Sequence, residues 1–249
     1  NKAFAGQVPK ELMDYLQQHK DTLIPEFREA WKAAGFKTSG TWEEVFGKGR
    51  PASFEIPIRV DSPPYKPADL ESFRKFHWPA DEIFMAWYYA RYLNSVAEAG
   101  KKEYNIPMFA NAWLQQPNYP WPGVYPSGGP TPQVIDVWQA GAPAIDILAP
   151  DLYLQYFAEV CARFNRNGNP LFIPETRGGP EGAVKVLYAV GRHDAIGFSP
   201  FGIDRTVGTD TDLPAAYDVL SQLSPLILEH QGKGTMTAVL LGPDDPPRK

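Results

Sequence analysis

From about residue 81 to residue 230, short apolar runs alternate with amphipathic stretches of roughly ten residues or more. No other feature of the chain constrains its fold as much. The apolar runs are Ile106–Trp113, Ile145–Tyr153, Leu171–Glu175 and Ala195–Phe201. The helical stretches are Asp81–Ala99, Gln133–Ala140, Leu154–Asn165, Gly182–Arg192 and Leu213–His230. Strands separated by helices of that length form βαβ units and a parallel sheet. The run Ile145-Asp146-Ile147-Leu148 is apolar at most positions, as expected where both sheet faces are covered. A length of 249 residues suits a complete (β/α)8 barrel. Four legible strands do not, because a closed barrel needs eight. The expectation is an α/β chain holding the second half of a (β/α)8 barrel, about four βα units.

The segment before this alternation reads differently. Pro9 and Pro25 suit helix starts, and Gly35 suits a stop. Leu12, Tyr15, Leu16 and Leu23 fall near one face of the first helix, and Phe27, Ala30, Trp31 and Ala34 near one face of the second. Residues 36–80 read as an irregular, Pro-rich insertion with one alternating run, Phe54–Val60. The aromatic run Trp87-Tyr88-Tyr89 with Tyr92 reads as helical and mostly core. Thr235–Leu241 reads as a β-strand. Residues 1–234 are therefore expected to form the partial barrel domain, and residues 235–249 the start of a further β domain.

Composition excludes several classes. Hydrophobic residues make up 43% and charged residues 21%, which rules out a disordered chain. No apolar stretch approaches the roughly 18 residues of a membrane helix. Net charge is -5 and no run of Lys and Arg exceeds two residues, so neither nucleic acid nor an acidic lipid surface is an expected partner. Cys161 is the single cysteine, which excludes an internal disulfide, and it reads as packing. His19, His77, His193 and His230 lack ligand spacing, so no metal and no cofactor are expected. The turn Gly178–Gly182 opens a helix but lacks the Lys-Ser/Thr of a phosphate loop. The first residue is Asn1, and the chain is read as beginning after processing or as part of something longer.

In a (β/α)8 protein, chemistry sits at the C-terminal ends of the strands. Those positions hold Asn111, Trp113 and Gln115; then Asp151 and Tyr153; then Glu175 and Arg177; then Phe201 and Asp204. Residues two apart in a strand share a face, which pairs Asn111 with Trp113, Asp151 with Tyr153, and Glu175 with Arg177. Acids, amides and aromatics at one mouth suit a sugar, with rings stacking on its apolar face and polar groups taking its hydroxyls. Glu175 is the sharpest position. It is read either as a nucleophile, with the Arg177 charge favouring its ionised form, or as a helix cap or structural ion pair.

The segment Leu171-Phe172-Ile173-Pro174-Glu175-Thr176-Arg177-Gly178 resembles the nucleophile strand of retaining barrel glycosidases. The order of Pro107–Trp113, Asp146–Tyr153 and Gly197–Asp204 around it is similar to that of bacterial β-galactosidase-like enzymes of glycoside hydrolase family 35. The resemblance spans roughly residues 1 to 241. It implies hydrolysis of terminal β-galactosides with retained stereochemistry, with Glu175 as nucleophile and Asn111, Trp113, Asp151, Tyr153, Arg177 and Phe201 binding substrate. It also implies a periplasmic or secreted bacterial setting. In that family the acid/base is a Glu directly after an Asn, and these 249 residues contain no Asn-Glu pair. The acid/base is therefore expected upstream of Asn1, and the isolated chain is expected to be inactive. A β-glucanase, another retaining barrel glycosidase and a non-catalytic carbohydrate-binding barrel remain as alternatives.

Overall fold

The computed structural model describes residues 3–55, 76–115, 120–154, 156–205, 208–209 and 211–241. Most of the expected Phe54–Val60 run and the end of the expected 235–249 domain lie outside them. The described elements are α1 (Lys10–Gln18), α2 (Pro25–Ala33), α3 (Trp42–Phe46), α4 (Pro79–Glu103), β1 (Phe109–Trp113), α5 (Ile135–Gly141), β2 (Ile147–Leu152), α6 (Phe157–Phe164), β3 (Phe172–Thr176), α7 (Gly179–His193), β4 (Gly197–Pro200) and α8 (Asp212–His230). Short 3-10 turns occupy Pro132–Val134 and Ile203–Arg205. All four expected strands are present; β1, β2 and β4 are trimmed, and β3 is shifted by one residue. They form one parallel sheet in chain order, β1-β2-β3-β4. The chain divides into two compact units, Asn1–Leu148 and Ala149–Lys249, and the division falls inside β2.

The first unit is built on aromatic packing. Leu12, Met13 and Leu16 of α1 and Phe27 and Trp31 of α2 are buried. The helix α3 falls in a stretch expected to be irregular. The Thr41 hydroxyl accepts from the Glu44 N–H at 3.3 Å, and the Glu44 carboxylate accepts from the Thr41 N–H at 2.7 Å. This reciprocal cap is encoded by Thr41-Trp42-Glu43-Glu44 and was legible in the sequence. It lets five residues fold as a helix by burying Trp42 against Phe84 of α4, edge to face at 5.3 Å. The start of α2 is fixed from α5, where buried Asp136 accepts the Ile24 N–H at 2.7 Å.

Helix α4 departs from expectation in two ways. It continues past Gly100 to Glu103. Gly100 does not stop the helix but makes room for a neighbour, since a Cβ there would lie 2.8 Å from Met108 Cε. One residue on, Lys101 pairs with Asp146 at 2.6 Å. Asp146 also accepts the Met108 N–H at 2.7 Å. These bonds, the Lys101 one foremost, hold its carboxyl below the usual range. The second departure is the tyrosine run. Trp87 is buried, but Tyr88, Tyr89 and Tyr92 are 44%, 56% and 68% exposed. The inward side of α4 is taken by Ile83 and by Ala86, Ala90 and Ala97, small residues that draw the helix close and turn the phenols outward.

In the second unit β2, β3 and β4 pair in parallel, with Asp151 opposite Glu175 and Leu152 opposite Thr176. The β3–β4 register slips by one residue. Ile173 faces Phe198 and Thr176 faces Pro200, so Pro174 and Glu175 together oppose Ser199. A proline cannot donate to a ladder, and a bulge is where a central strand tolerates one. Cys161 is fully buried beside Phe157, Val160 and Phe164 on α6, and burial pushes its thiol up to about 12. Thr235–Leu241 is not a strand. Its residues alternate between half-buried and exposed as a strand's would, but they lie along α7, with Ala238 against Gly191. The two-residue period is satisfied there by a helix surface rather than by a ladder.

Helix α7 starts at Gly179, three residues before the expected Gly182. A Cβ at Gly182 would lie 2.6 Å from the Arg177 carbonyl oxygen, which is backbone and cannot swing aside. Gly182→Ala is expected to cost about 1–3 kcal/mol through that overlap. Urea denaturation measures it, and an unchanged midpoint would mean that the Arg177 segment yields freely.

Candidate active site

The strand ends of the second unit converge on Glu175. Parallel partners present their side chains to the same sheet face, about 4.8 Å apart. Asp151 on β2 therefore stands beside Glu175 on β3. Tyr153, two residues beyond Asp151, keeps that side, and its hydroxyl donates to Glu175 Oε1 at 2.8 Å. Asp151, Tyr153 and Glu175 are all half-buried. One step away, buried Thr176 donates its hydroxyl to the Leu152 carbonyl at 2.7 Å, and its own carbonyl accepts the Phe201 N–H at 2.9 Å. These bonds pin the ends of all three strands around the carboxylate. The sequence reading did not single out Thr176, because its role lies in burial and pairing rather than in a motif.

The electrostatics centre on Tyr153. Its phenol is pushed well above the ordinary value. Burial is the largest cause, followed by the hydrogen bond and charge of Glu175 and then the charge of Asp151, with Arg177 acting in the opposite sense. The phenol is thus a firm donor at any physiological pH. The donated bond occupies one lone-pair direction on Oε1 and sets the plane of the carboxylate. Arg177 is exposed and forms no ion pair with Glu175 among the described residues. The expected Glu175–Arg177 pair is replaced by the phenol.

The remaining expected residues are placed as follows. Phe201, just past β4, is 68% exposed, and Asp204 lies on the 3-10 turn after it. Asn111 and Trp113 belong to the first unit. Along β1, buried Ala110 and Ala112 alternate with Phe109, Asn111 and Trp113 on the more open side. Gln115, two residues further on, is fully buried and donates to the Pro120 carbonyl at 2.7 Å. Among the described residues no group of three or more His, Cys, Asp or Glu is placed to hold a metal ion. No helix there is long and apolar enough to cross a membrane.

Residues 213–249 match a family described as a domain of unknown function, DUF5597. That match takes in nearly all of α8 and the segment after it, and so begins before residue 235. No curated protein matches the chain.

The hydrogen bond makes a spectroscopic prediction. Glu175→Gln removes the negative charge that opposes Tyr153 ionisation, so the phenol should titrate at lower pH than in the wild type. Ultraviolet titration of the wild type, Glu175→Gln and Tyr153→Phe checks it, the last identifying the signal. Superimposable curves for the first two would break the link.

Proposed function

We propose that the chain is part of the (β/α)8 catalytic barrel of a retaining glycosidase that cleaves terminal β-galactosides. Glu175 is the nucleophile. It attacks the anomeric carbon and expels the aglycone oxygen, and water then releases the glycosyl group. Such enzymes hold their two carboxyls about 5–5.5 Å apart, and the second, protonating carboxyl comes from a Glu outside residues 1–249. The observation that carries the reading is the half-buried Glu175, oriented by the Tyr153 hydroxyl at 2.8 Å, at the C-terminal end of a parallel strand. A strand end is where barrel enzymes place their chemistry. The resemblance of the strand order to glycoside hydrolase family 35 supplies the sugar class. Asp151 beside the nucleophile is suited to a sugar hydroxyl, and Arg177 and Phe201 to the substituents of the ring; a substrate role for Asn111 and Trp113 rests on the resemblance alone.

The lack of an Asn-Glu pair in residues 1–249 keeps one other reading in play, a barrel that binds carbohydrate without cleaving it. Covalent labelling separates the two. A 2-fluoro aryl β-galactoside has a good leaving group and needs little protonation, so it reports the nucleophile alone. Protein that includes the proposed acid/base Glu should gain one galactosyl adduct on the peptide containing Glu175, by intact-mass and fragment mass spectrometry. Glu175→Gln should gain none. An adduct on Asp151 or Asp204, or one that persists in Glu175→Gln, would remove Glu175 from this role. Saturable galactoside binding with no adduct would favour the binder.

A further inference from the structure

In the second unit, the bulge in β3 sets a residue of β4 level with Glu175. Ile173 pairs with Phe198 and Thr176 with Pro200, and all four are buried. In an unbroken ladder Glu175 would fall opposite Pro200, on that buried face. With the extra residue, Glu175 takes the other face and lies opposite Ser199. Asp151 stands opposite Glu175 on β2, so one row crosses three strands: Asp151, Glu175 and Ser199. Neighbours in such a row are about 4.8 Å apart. Ser199 is exposed. Gly197, two residues before it, faces the same way and lies under the Phe172 ring, which a Cβ there would approach to 2.7 Å. Phe201, two residues after it, is turned to that side by the same alternation. Ser199 thus stands between a half-buried ring and an exposed one, beside the carboxylate. The sequence reading passed it over because it lies within β4 rather than past its end, and only the bulge brings it level with Glu175.

The position of β4 is held at both ends. The Ile196 N–H donates to the Leu171 carbonyl and the Phe201 N–H to the Thr176 carbonyl, each at 2.9 Å. From α8 the Tyr217 hydroxyl donates to the Phe198 carbonyl at 2.8 Å. On the glycosidase reading of Glu175, the anomeric carbon sits at that carboxylate. Its two ring neighbours are the ring oxygen and the carbon that bears the 2-hydroxyl. Positive charge grows on the anomeric carbon and the ring oxygen in the transition state. The acidic Asp151 suits the ring-oxygen side, where the 6-hydroxyl also lies, and the neutral Ser199 suits the other. We propose that Ser199 is a substrate-binding residue whose Oγ accepts a hydrogen bond from the sugar 2-hydroxyl. That hydroxyl becomes a better donor as the charge grows beside it, so the bond strengthens toward the transition state. The assignment rests on the glycosidase reading and names the group that this face offers to the substrate.

Substrates that lack one hydroxyl test the contact. Protein that includes the proposed acid/base Glu, as wild type and as Ser199→Ala, is assayed on nitrophenyl β-galactoside and on its 2-deoxy and 6-deoxy analogues. Ser199→Ala removes only an exposed hydroxyl, so the variant should fold as the wild type does. Its kcat/KM is expected to fall about tenfold to a hundredfold on the parent and 6-deoxy sugars. On the 2-deoxy sugar the two proteins should be equal, because the hydroxyl that Ser199 holds is already gone. An equal loss on all three substrates overturns the contact, since it means that Glu175 itself has been displaced. A loss that disappears on the 6-deoxy sugar instead of the 2-deoxy one overturns the assignment to the 2-hydroxyl. No loss on any of them overturns it as well. The 2-fluoro label separates these failures from failure of the underlying reading. A wild type that is labelled on Glu175 but shows no dependence on Ser199 removes only the role of Ser199. A wild type that neither labels nor turns over any substrate removes the glycosidase reading, and this assignment with it.

Discussion

Two parallel strands bring their side chains to a common face at fixed intervals, and the candidate site depends on the register of one such pair. With Asp151 opposite Glu175, the residue two further along β2 falls within reach of the same carboxylate, and that residue is Tyr153. A slip of one position would put Leu152 opposite Glu175, turn Tyr153 to the other face and leave the carboxylate without its donor. The register is secured beyond the face that carries Glu175. Thr176 ties its hydroxyl to β2 and its carbonyl to the chain leaving β4. Its side chain has no exposure to solvent, so these bonds are made where water does not compete for them. The site is thus held by a neighbour that points away from it.

Two carboxyls in this chain illustrate how surroundings divide labour between like groups. Glu82 is enclosed and faces an amide, with no cation paired to it among the described residues. Glu175 is half open and faces a phenol. The first environment suits a group that stays a neutral acid and serves architecture. The second suits a group that meets a ligand, because among the described residues no donor engages the other carboxylate oxygen. Neither environment can be read from a Glu in a sequence, since burial is made by residues distant in the chain.

The alternation of strands and helices was legible because it depends on local period and on short breaks. All four strands were found from it, and with them the neighbouring ends that bring Asp151 and Tyr153 beside Glu175. What escaped the sequence depended on partners. Gly100 looks like a stop, but in α4 it serves as a gap for Met108. Tyr88, Tyr89 and Tyr92 are as apolar as core residues, yet the alanines on the opposite side of α4 claim the interior. Thr235–Leu241 carries a strand's period and lies against a helix. Arg177 is near enough in sequence to pair with Glu175, but the partner came from the adjacent strand. The α3 cap was the exception, a local signal present in four consecutive residues and passed over among the prolines.

The bulge at Pro174 and Glu175 also bears on how such a chain tolerates insertions and deletions. Side chains along a strand alternate faces with a period of two, so one residue gained or lost between Leu171 and Pro174 would turn the carboxylate to the opposite face of the sheet. The extra residue already accommodated opposite Ser199 has used the local slack, and a second would have to break the Thr176 bonds. Past Gly178 the constraint ends, because α7 begins there and its register to the sheet is set by packing. Length variation among descendants of this fold should therefore be scarce on the approach to Glu175 and common on the exposed loop that follows β4.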